Sequence, residues 1–319
     1  MSEGAGEGAD EGADEGAGGV AGERRHLLDV AFRLLGTSAD AEDAVQETYA
    51  RWYALAEEER AAVLNPQAWL TRVVGRVCLD VLGSARVRRE RCVGQWLPEP
   101  VPGAGWQGPP DPAERITVDE SVRMALLVAL DALTPAQRVA FVLHEVFALP
   151  FEDVAEVVGR TPQACRKLAS TARRDIREGR RRAAADEDHR EVVRAFLRAC
   201  AAGDLQALVL LLDPGVSART DGGGRVRAAP NAVVGAERVA RYLLGALAKW
   251  SHVELVDAEV GGLPGVVLRE AGAVTGVAGF DVRDGRVSAV WLVRAPGKLR
   301  LWGGAGPGPG SSAAARGGR

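Results

Sequence analysis

Two short amphipathic segments within residues 149–176 constrain this chain more than any other stretch. Apolar residues recur at helical spacing as far as Val158, and Gly159 interrupts the run. Thr161 suits an N-cap and Pro162 suits the first helical position, so a second helix is predicted to begin there. One face of that helix is apolar, and the other is polar and basic. A short helix, a tight turn and a basic second helix are typical of a DNA-reading helix-turn-helix.

The distribution of charge supports DNA binding better than the net charge suggests. The formal charge is −3, but residues 1–22 hold six acidic residues and no Lys or Arg, so the remaining chain carries +3. Residues 160–182 contain nine basic and two acidic residues, and residues 72–91 contain six and two. A nearly neutral protein can therefore carry basic segments that meet phosphate. For each segment taken alone, a solvated basic helix remains the alternative.

Cysteine usage and hydropathy argue against several classes of protein. The four cysteines are scattered, with no CxxC pair and no histidine at ligand spacing; they are Cys78, Cys92, Cys165 and Cys200. This pattern argues against a zinc site and a disulfide framework, and suits a reducing cytosol. The chain begins with no signal-peptide pattern and contains no uninterrupted apolar run long enough to span a bilayer. We therefore expect a cytoplasmic protein with no metal and no cofactor.

Composition divides the 319 residues into six segments. The first three are an acidic Gly- and Ala-rich tail expected to be disordered (1–22), a first helical unit (23–91) and a Pro- and Gly-rich linker containing WLPEP (92–112). They are followed by a second helical unit with the helix-turn-helix (113–183), an α+β unit (187–302) and a flexible tail (303–319). This length suits two or three domains.

Local signals predict the elements inside these units. A helix ends at Gly36, another opens at Asn65, and helical structure resumes over 113–133. Thr134 and Gln137 have the spacing of a capping box. In the α+β unit, two helices separated at Gly203 precede four strands, and residues 216–228 have the form of a hairpin with a glycine-rich turn.

Three long motifs stand in the order LLGTSADAEDAVQE, NPQAWLTRVVGRVCLD and LTPAQRVAFVLHEVFALPFEDVAEVVGRTPQACRKLASTARR. Over about residues 24–182 they resemble the bacterial extracytoplasmic-function (ECF) sigma factors, with sigma domain 2 followed by sigma domain 4. WLPEP, the DGGGR stretch and the long extension resemble the subgroup with a fused SnoaL-like domain. The implied fold is multidomain: two all-α sigma domains, a helical bundle and a helix-turn-helix, followed by an α+β SnoaL-like, nuclear-transport-factor-like cone.

The resemblance also implies roles for particular residues. The helix that docks on the clamp coiled coil of RNA polymerase would present Asp40, Glu42, Asp43, Gln46 and Glu47. The −10 promoter element would be contacted by Arg72, Arg76, Asp80, Arg86, Arg88 and Arg89, with Arg76 standing where many relatives carry Asn. The −35 element would be contacted by Gln163, Arg166, Lys167, Ser170, Arg173, Arg174 and Arg177. A regulatory contact would join Trp96, Leu97 and Pro98 to Asp221, Gly222, Gly223 and Gly224.

The expected activity is binding and strand separation rather than covalent chemistry, with core RNA polymerase and promoter DNA as partners. In the subgroup, the fused domain regulates in place of a separate membrane anti-sigma factor. Its NPDKL motif is represented here by Ala295-Pro296-Gly297-Lys298-Leu299. Two alternatives stay open: a SnoaL-like enzyme with a vestigial DNA-binding front half, and a stand-alone helix-turn-helix regulator.

The enzyme alternative has three candidate acid–base residues, His252, Asp257 and Asp281. Their spacing does not predict that they converge on one site. A small molecule bound in the cone, without catalysis, is a further partner that the fold would allow.

Overall fold

A computed structural model describes residues 22–89, 95–103, 116–180, 186–250 and 252–303. Side chains are described throughout these ranges except at residues 85–89, 178–180 and 186–187. Nearly all of both predicted tails, Cys92, and the side chains of Arg86, Arg88 and Arg89 therefore lie outside the described residues.

The first helical unit is built from local capping signals. Its elements are α1 (Arg24–Leu35), α2 (Ser38–Ala54), α3 (Glu57–Ala61) and α4 (Pro66–Arg89). Gly36 ends α1 with a left-handed φ of 82°, which glycine adopts without strain. The Thr37 side chain accepts from the Asp40 amide to cap α2, and Asn65 caps α4 through the Ala68 amide. Both predicted boundaries, at Gly36 and Asn65, are confirmed.

The second helical unit contains the expected helix-turn-helix. Its elements are a 3₁₀ turn (Glu120–Val122), α5 (Met124–Asp131), α6 (Pro135–Phe141), a π turn (Val142–Val146), α7 (Phe151–Val158) and α8 (Pro162–Arg180). The capping box of Thr134 and Gln137 is present, and Gly159 ends α7 with a φ of 69°. The helix expected over 113–133 is wrong in its described N-terminal part, because the Thr117 amide donates to Asp29 and the Thr117 carbonyl accepts from Arg33.

The two helical units share one apolar core. Leu34 of α1 and Val74 of α4 belong to the same buried cluster as Leu143 and Val157. Gly75 lies at the closest approach, where an added Cβ would stand 3.1 Å from Val157 and 3.2 Å from Leu143. In this conformation, therefore, α4 packs directly on α7.

The described part of the C-terminal unit contains three α-helices and a six-stranded mixed sheet. The helices are α9 (Asp186–Ala202), α10 (Leu205–Leu211) and α11 (Ala236–Lys249). The strands are β1 (Leu212–Asp221), β2 (Val233–Val234), β3 (Val253–Val260), β4 (Leu263–Glu270), β5 (Ala273–Arg283) and β6 (Arg286–Val293). Their order is β2-β1-β6-β5-β4-β3, with β1 and β6 parallel and the other pairs antiparallel.

The helix break at Gly203 and the four consecutive strands are confirmed, but the predicted hairpin is wrong. After Asp221 the chain turns, and the amides of Arg225 and Val226 both donate to the Gly222 carbonyl. Residues 225–228 form no strand. Strand β1 is flanked instead by β6 and by β2, so both its hydrogen-bonding edges have other partners.

The two faces of the sheet are covered by different parts of the chain. On one face, Leu268, Phe280 and Leu292 pack against the unit's own helices. On the other face, Val277 and Trp291 belong to a second cluster, which includes Leu97 of the linker, Met124 of α5 and Trp302 beyond β6. Segment 95–103, which composition marked only as linker, is therefore a packed layer between the helical units and the sheet.

Candidate nucleic-acid interface and the domain junction

The outer face of α8 is an accessible surface among those predicted to bind DNA. The exposed side chains there are Gln163, Arg166, Lys167, Ser170, Arg174 and Arg177. Arg166 lies 3.4 Å from Glu152 of α7 and sits over the Phe151 ring at 5.3 Å. Arg173 is less accessible and pairs with Glu145. The face is thus basic and polar, and its weak exposed ion pairs can be exchanged for phosphate or base edges.

The predicted −10 arginines of α4 are engaged by α7. Arg72 donates to Asp153 at 3.0 Å and lies 3.4 Å from Glu156. Arg76 donates to the Val157 carbonyl at 3.1 Å, in the last turn of α7, where the helix dipole favours a cation. Asp80 is exposed and lies 3.9 Å from Arg76. In this conformation α7 therefore supplies the negative partners of both arginines.

The predicted polymerase-docking face lies along α2. Asp40, Asp43, Gln46 and Glu47 are exposed, whereas Glu42 is half-buried. Glu42 lies 3.7 Å from Arg300, in the turn that follows β6. The C-terminal unit therefore reaches one carboxylate of this face.

Asp221 lies where the linker meets the C-terminal unit. One of its carboxylate oxygens accepts from the Leu97 amide at 2.9 Å and from Lys298 Nζ at 2.6 Å. The other oxygen accepts from the Gly223 amide at 2.8 Å. Lys298 also donates to the Leu97 carbonyl. Asp221 and Leu97 are buried, so a local hydrogen-bond network connects the linker to both β1 and the segment after β6.

The aromatic side chains of the linker and of the segment after β6 extend this junction to α1. The Trp96 ring lies against Gly36, where an added Cβ would stand 2.9 Å from it, and Lys298 Nζ lies 4.1 Å from the ring centroid. Pro98 is buried beside Gly36. Trp302 donates to the Pro100 carbonyl at 2.7 Å. All three units meet here.

The glycine-rich turn after Asp221 is required by close packing. A Cβ on Gly222 would stand 1.9 Å from the Val226 carbonyl oxygen. Gly223 and Gly224 have φ values of 60° and 71°, and a Cβ on Gly223 would meet Ala295 at 2.8 Å. The turn therefore has both the backbone conformation and the space that only glycine satisfies without strain.

Glu99 places a carboxyl group at the start of α2. It accepts from the Ser38 amide at 2.6 Å and is fully buried. Burial raises its pKa, an effect only partly offset by the Ser38 hydrogen bonds and by the positive charges of Arg300 and Lys298. The other carboxylate oxygen is buried and has no hydrogen-bond partner among the described residues.

Because the folded pKa of Glu99 is raised, its contribution to stability is present below the ordinary pKa of Glu and is lost as the pH rises through the folded value. The free energy of unfolding of the wild type should therefore decline over that range relative to Glu99→Gln, which has no proton to lose. Urea denaturation at a series of pH values measures the difference. Glu47→Gln, at an exposed position of α2, is the control and should retain the decline; parallel curves for wild type and Glu99→Gln would contradict the prediction.

The C-terminal unit contains an apolar cavity. It is lined by residues that include Phe196, Tyr242, Leu247, Trp250 and Leu292. Its lining also includes the Cys200 thiol, whose pKa burial raises to about 12. No Asp, Glu, His, Lys or Arg side chain lines it among the described residues.

The three candidate acid–base residues each have a different environment. His252 pairs with Glu270 at 2.9 Å, and Asp281 accepts from Arg283 and Ser288, each at 2.7 Å. Asp257 is exposed beside Arg190 in a separate groove. Within the described ranges, no three His, Cys, Asp or Glu side chains are grouped so as to hold a metal ion. No helix there is long and apolar enough to cross a bilayer.

Four residues at this junction are absent from the site that the sequence predicts: Glu99, Lys298, Arg300 and Trp302. Lys298 had a signal, since it aligns with the Lys of the family's NPDKL motif. Glu99 lies inside WLPEP, but nothing in its spacing indicates that α2 is its partner. Arg300 and Trp302 carry no local signal, because their partners are about 200 or more residues away in the chain.

Comparison with known proteins matches both helical units to sigma factors. Residues 20–90 match Sigma-70 region 2, and residues 123–176 match Sigma-70, region 4. The ECF RNA polymerase sigma factor SigJ of Mycobacterium tuberculosis is 42% identical over 289 residues, covering 86% of this chain and 90% of SigJ. The chain belongs to the ECF family of RNA polymerase sigma factors. The probable ECF sigma factor SigI of the same species is 39% identical, covering 86% of this chain and 92% of SigI.

The similarity extends through the C-terminal unit. The crystal structure of M. tuberculosis SigJ matches with a TM-score of 0.69 and 37% sequence identity, covering 89% of this chain and 98% of that one. The predicted class, two helical sigma domains followed by a SnoaL-like α+β unit, is confirmed. This ECF sigma factor accordingly acts in transcription initiation, with core RNA polymerase and promoter DNA as the partners of its sigma domains.

Proposed function

We propose that this sigma factor docks on core polymerase through the acidic face of α2, reads the −35 element with α8 and contacts the −10 element with α4. The exposed polar and basic outer face of α8 is the observation that carries the proposal. Its side chains include Arg166 and Lys167, which can reach base edges, and Arg177, which can contact phosphate. The arginines of α4 would reach DNA only after α7 moves away from them. The proposed site of action is the cytoplasm, where polymerase and promoter meet.

We further propose that the C-terminal unit regulates the movement of α7 away from α4, in cis, through the Asp221 junction. The linker between the sigma domains is held on one side by Ser38 of α2 and on the other by Asp221 and Lys298. A change in the C-terminal unit would therefore be transmitted to the segment that sets the separation of the sigma domains. A small molecule in the apolar cavity is a candidate source of such a change.

Run-off transcription with core polymerase tests the main function. Promoter-dependent transcripts are expected from genomic fragments with the full-length chain, and comparison with a chain ending before residue 187 measures regulation in cis. Absence of a promoter-dependent transcript from both forms would overturn the function. Tight operator binding that needs no polymerase would favour a stand-alone regulator instead. Binding through about six phosphates should weaken roughly a thousandfold between 50 and 200 mM salt.

Arg166→Ala should weaken promoter recognition by about 1–3 kcal/mol and relax base preference at one position of the −35 element, because a direct contact to a base edge would be lost. Competition binding of the polymerase holoenzyme to promoters varied at each −35 position measures the loss. Arg241→Ala, an exposed helical arginine of α11 that also pairs with a glutamate, is the matched control and should leave binding unchanged. An equal loss at every promoter variant would make Arg166 a phosphate contact.

The proposed role of the C-terminal unit is binding, not catalysis. Its three candidate acid–base residues have separate partners or open to solvent, and its cavity wall is apolar. General acid–base chemistry needs a titratable group within hydrogen-bond reach of the reacting atom. This lining supplies no such carboxylate or imidazole.

A further inference from the structure

The wall of the cavity in the C-terminal unit is apolar throughout its depth. Phe196 of α9, Tyr242 and Leu247 of α11, and Leu268 and Leu292 of the sheet contribute to it. Its volume is about 60 Å³, and it is partly open to solvent. That volume accommodates a few water-sized groups, and therefore a short aliphatic chain rather than a steroid-sized ring system. A purely polar ligand would find no partner on this wall.

Arg294 lies just beyond this wall, on the same face of the sheet. Alternate residues of a strand share a face, and Val290 and Leu292 both line the cavity, so Arg294 continues their row. Its guanidinium is 4.2 Å from the ring centroid of Trp250, a residue that lines the cavity. An arginine therefore lies next to one of the residues that form the cavity wall.

The charge of Arg294 is incompletely satisfied. The only hydrogen bond of its guanidinium among the described residues is a long one, 3.5 Å, from Nε to the Thr275 carbonyl. No described carboxylate lies within ion-pair distance of it, and the neighbouring Glu270 is paired with His252 at 2.9 Å. Burial lowers the pKa of Arg294, an effect that Glu270 and Tyr242 oppose. A half-buried guanidinium without a carboxylate partner is suited to bind an anion from solution.

We propose that this cavity binds a small amphipathic carboxylate, with its aliphatic part against the apolar wall and its carboxylate on Arg294. An amine headgroup would be repelled by Arg294, and a neutral headgroup would leave its charge unmatched. Carboxylate recognition suits the planar donor fork of arginine, and apolar burial supplies the remaining affinity. Arg294 therefore selects the carboxylate of the ligand, and the apolar wall selects its aliphatic part.

The same arginine connects the cavity to the junction. The Arg294 amide donates to the Asp221 carbonyl at 2.7 Å, and the Asp221 carboxylate binds Leu97 and Lys298. A ligand that repositions Arg294 would therefore act on the linker through Asp221. This step rests on the proposed regulation in cis, whereas binding itself does not. It requires that the ligand bind with different affinity when the linker is docked on Asp221 and when it is released.

Isothermal titration of the full-length protein with hexanoate, hexan-1-ol and hexylamine tests the ligand class without polymerase. Hexanoate should bind at least about tenfold more tightly than hexanol, and hexylamine should bind most weakly. Arg294→Gln should remove the preference for hexanoate. Arg286→Gln, at an exposed position near the start of β6, is the matched control and should retain it. Equal binding of hexanoate and hexanol by the wild type, or an unchanged preference in Arg294→Gln, would overturn the proposal.

A second variant tests the contribution of the apolar wall independently of Arg294. Ala246 lines the wall, so Ala246→Phe should fill the space and weaken hexanoate at least about tenfold while Arg294 is retained. Circular dichroism and the melting temperature establish whether the variant is folded. Undiminished binding by a folded Ala246→Phe protein would place the ligand outside the cavity and overturn the proposal.

Coupling is measured separately, by hydrogen exchange at the Leu97 amide with and without saturating hexanoate. A change in its exchange rate that is absent in Arg294→Gln supports transmission through Asp221. An unchanged rate at saturation overturns the coupling and leaves the binding result standing. Run-off transcription without ligand tests the sigma function itself. Failure of ligand binding, of coupling to the linker and of the sigma function can therefore be distinguished from one another.

Discussion

Replacing Arg33 by methionine is expected to lower the free energy of unfolding of the helical units by about 3–5 kcal/mol, because the buried Asp29 carboxylate would lose its counter-charge. Arg33 is 2% exposed and lies 3.1 Å from both Asp29 and Asp119. It also donates to the Thr117 carbonyl at 3.0 Å and to the Ser121 hydroxyl. This network joins α1 of the first sigma domain to the segment that leads into the second.

Urea denaturation followed by circular dichroism measures the loss. Arg51→Met is the matched control: Arg51 also pairs with a carboxylate one turn earlier in its helix, at 3.0 Å, but in solvent. It should change the free energy of unfolding by less than about 1 kcal/mol. Equal, small effects of the two substitutions would show that the buried network contributes little net stability.

The same network has a pH signature. Burial by itself would raise the pKa of Asp119, but hydrogen bonds from Ser121 together with the charge of Arg33 hold it below the ordinary value. A lowered folded pKa contributes stability above the ordinary pKa of Asp, and that contribution is lost as the pH falls through the folded value. In Arg33→Met this acid-induced loss should shrink, because part of the cause of the lowered pKa is gone.

Replacing Asp221 by asparagine is expected to weaken docking of the linker by about 3 kcal/mol, because Lys298 would lose the charge that compensates its burial. The Asp221 and Lys298 side chains are 4% and 13% exposed. Hydrogen exchange at the Leu97 amide measures the effect directly, since this amide donates to Asp221. At about 1.4 kcal/mol per tenfold change, exchange should accelerate roughly a hundredfold.

Asp257→Asn is the control for Asp221→Asn, because Asp257 is an exposed carboxylate of the same unit. Lys298→Met should accelerate Leu97 exchange as well, and the double variant should be clearly less perturbed than the sum of the singles. Additive effects would contradict a direct Asp221–Lys298 interaction. Transcription by the same variants would then report whether undocking raises or lowers activity.

Sequence-based prediction succeeded where the determining interactions are local. Thr134 and Gln137 are three residues apart and satisfy each other's backbone groups, so their capping box can be predicted from spacing alone. The glycine-rich turn shows the limit of such reasoning. Its residues suit a hairpin, yet the strand predicted after it is absent, because β1 pairs with β6, which is distant in the chain. Turn chemistry indicates that the chain bends, and the neighbouring strands decide which structure the chain adopts after the bend.

The sequence by itself determined the family, the order of the units, the outer face of α8 and most helix ends, because periodicity, caps and motifs act within a few residues. Only the tertiary structure decided that segment 95–103 of the linker is buried, that α7 engages Arg72 and Arg76, and that Lys298 joins the Leu97 amide at the Asp221 carboxylate. Those contacts join residues 77 to 124 positions apart. Buried polar groups select their partners by geometry in the folded chain, and no local pattern encodes that choice.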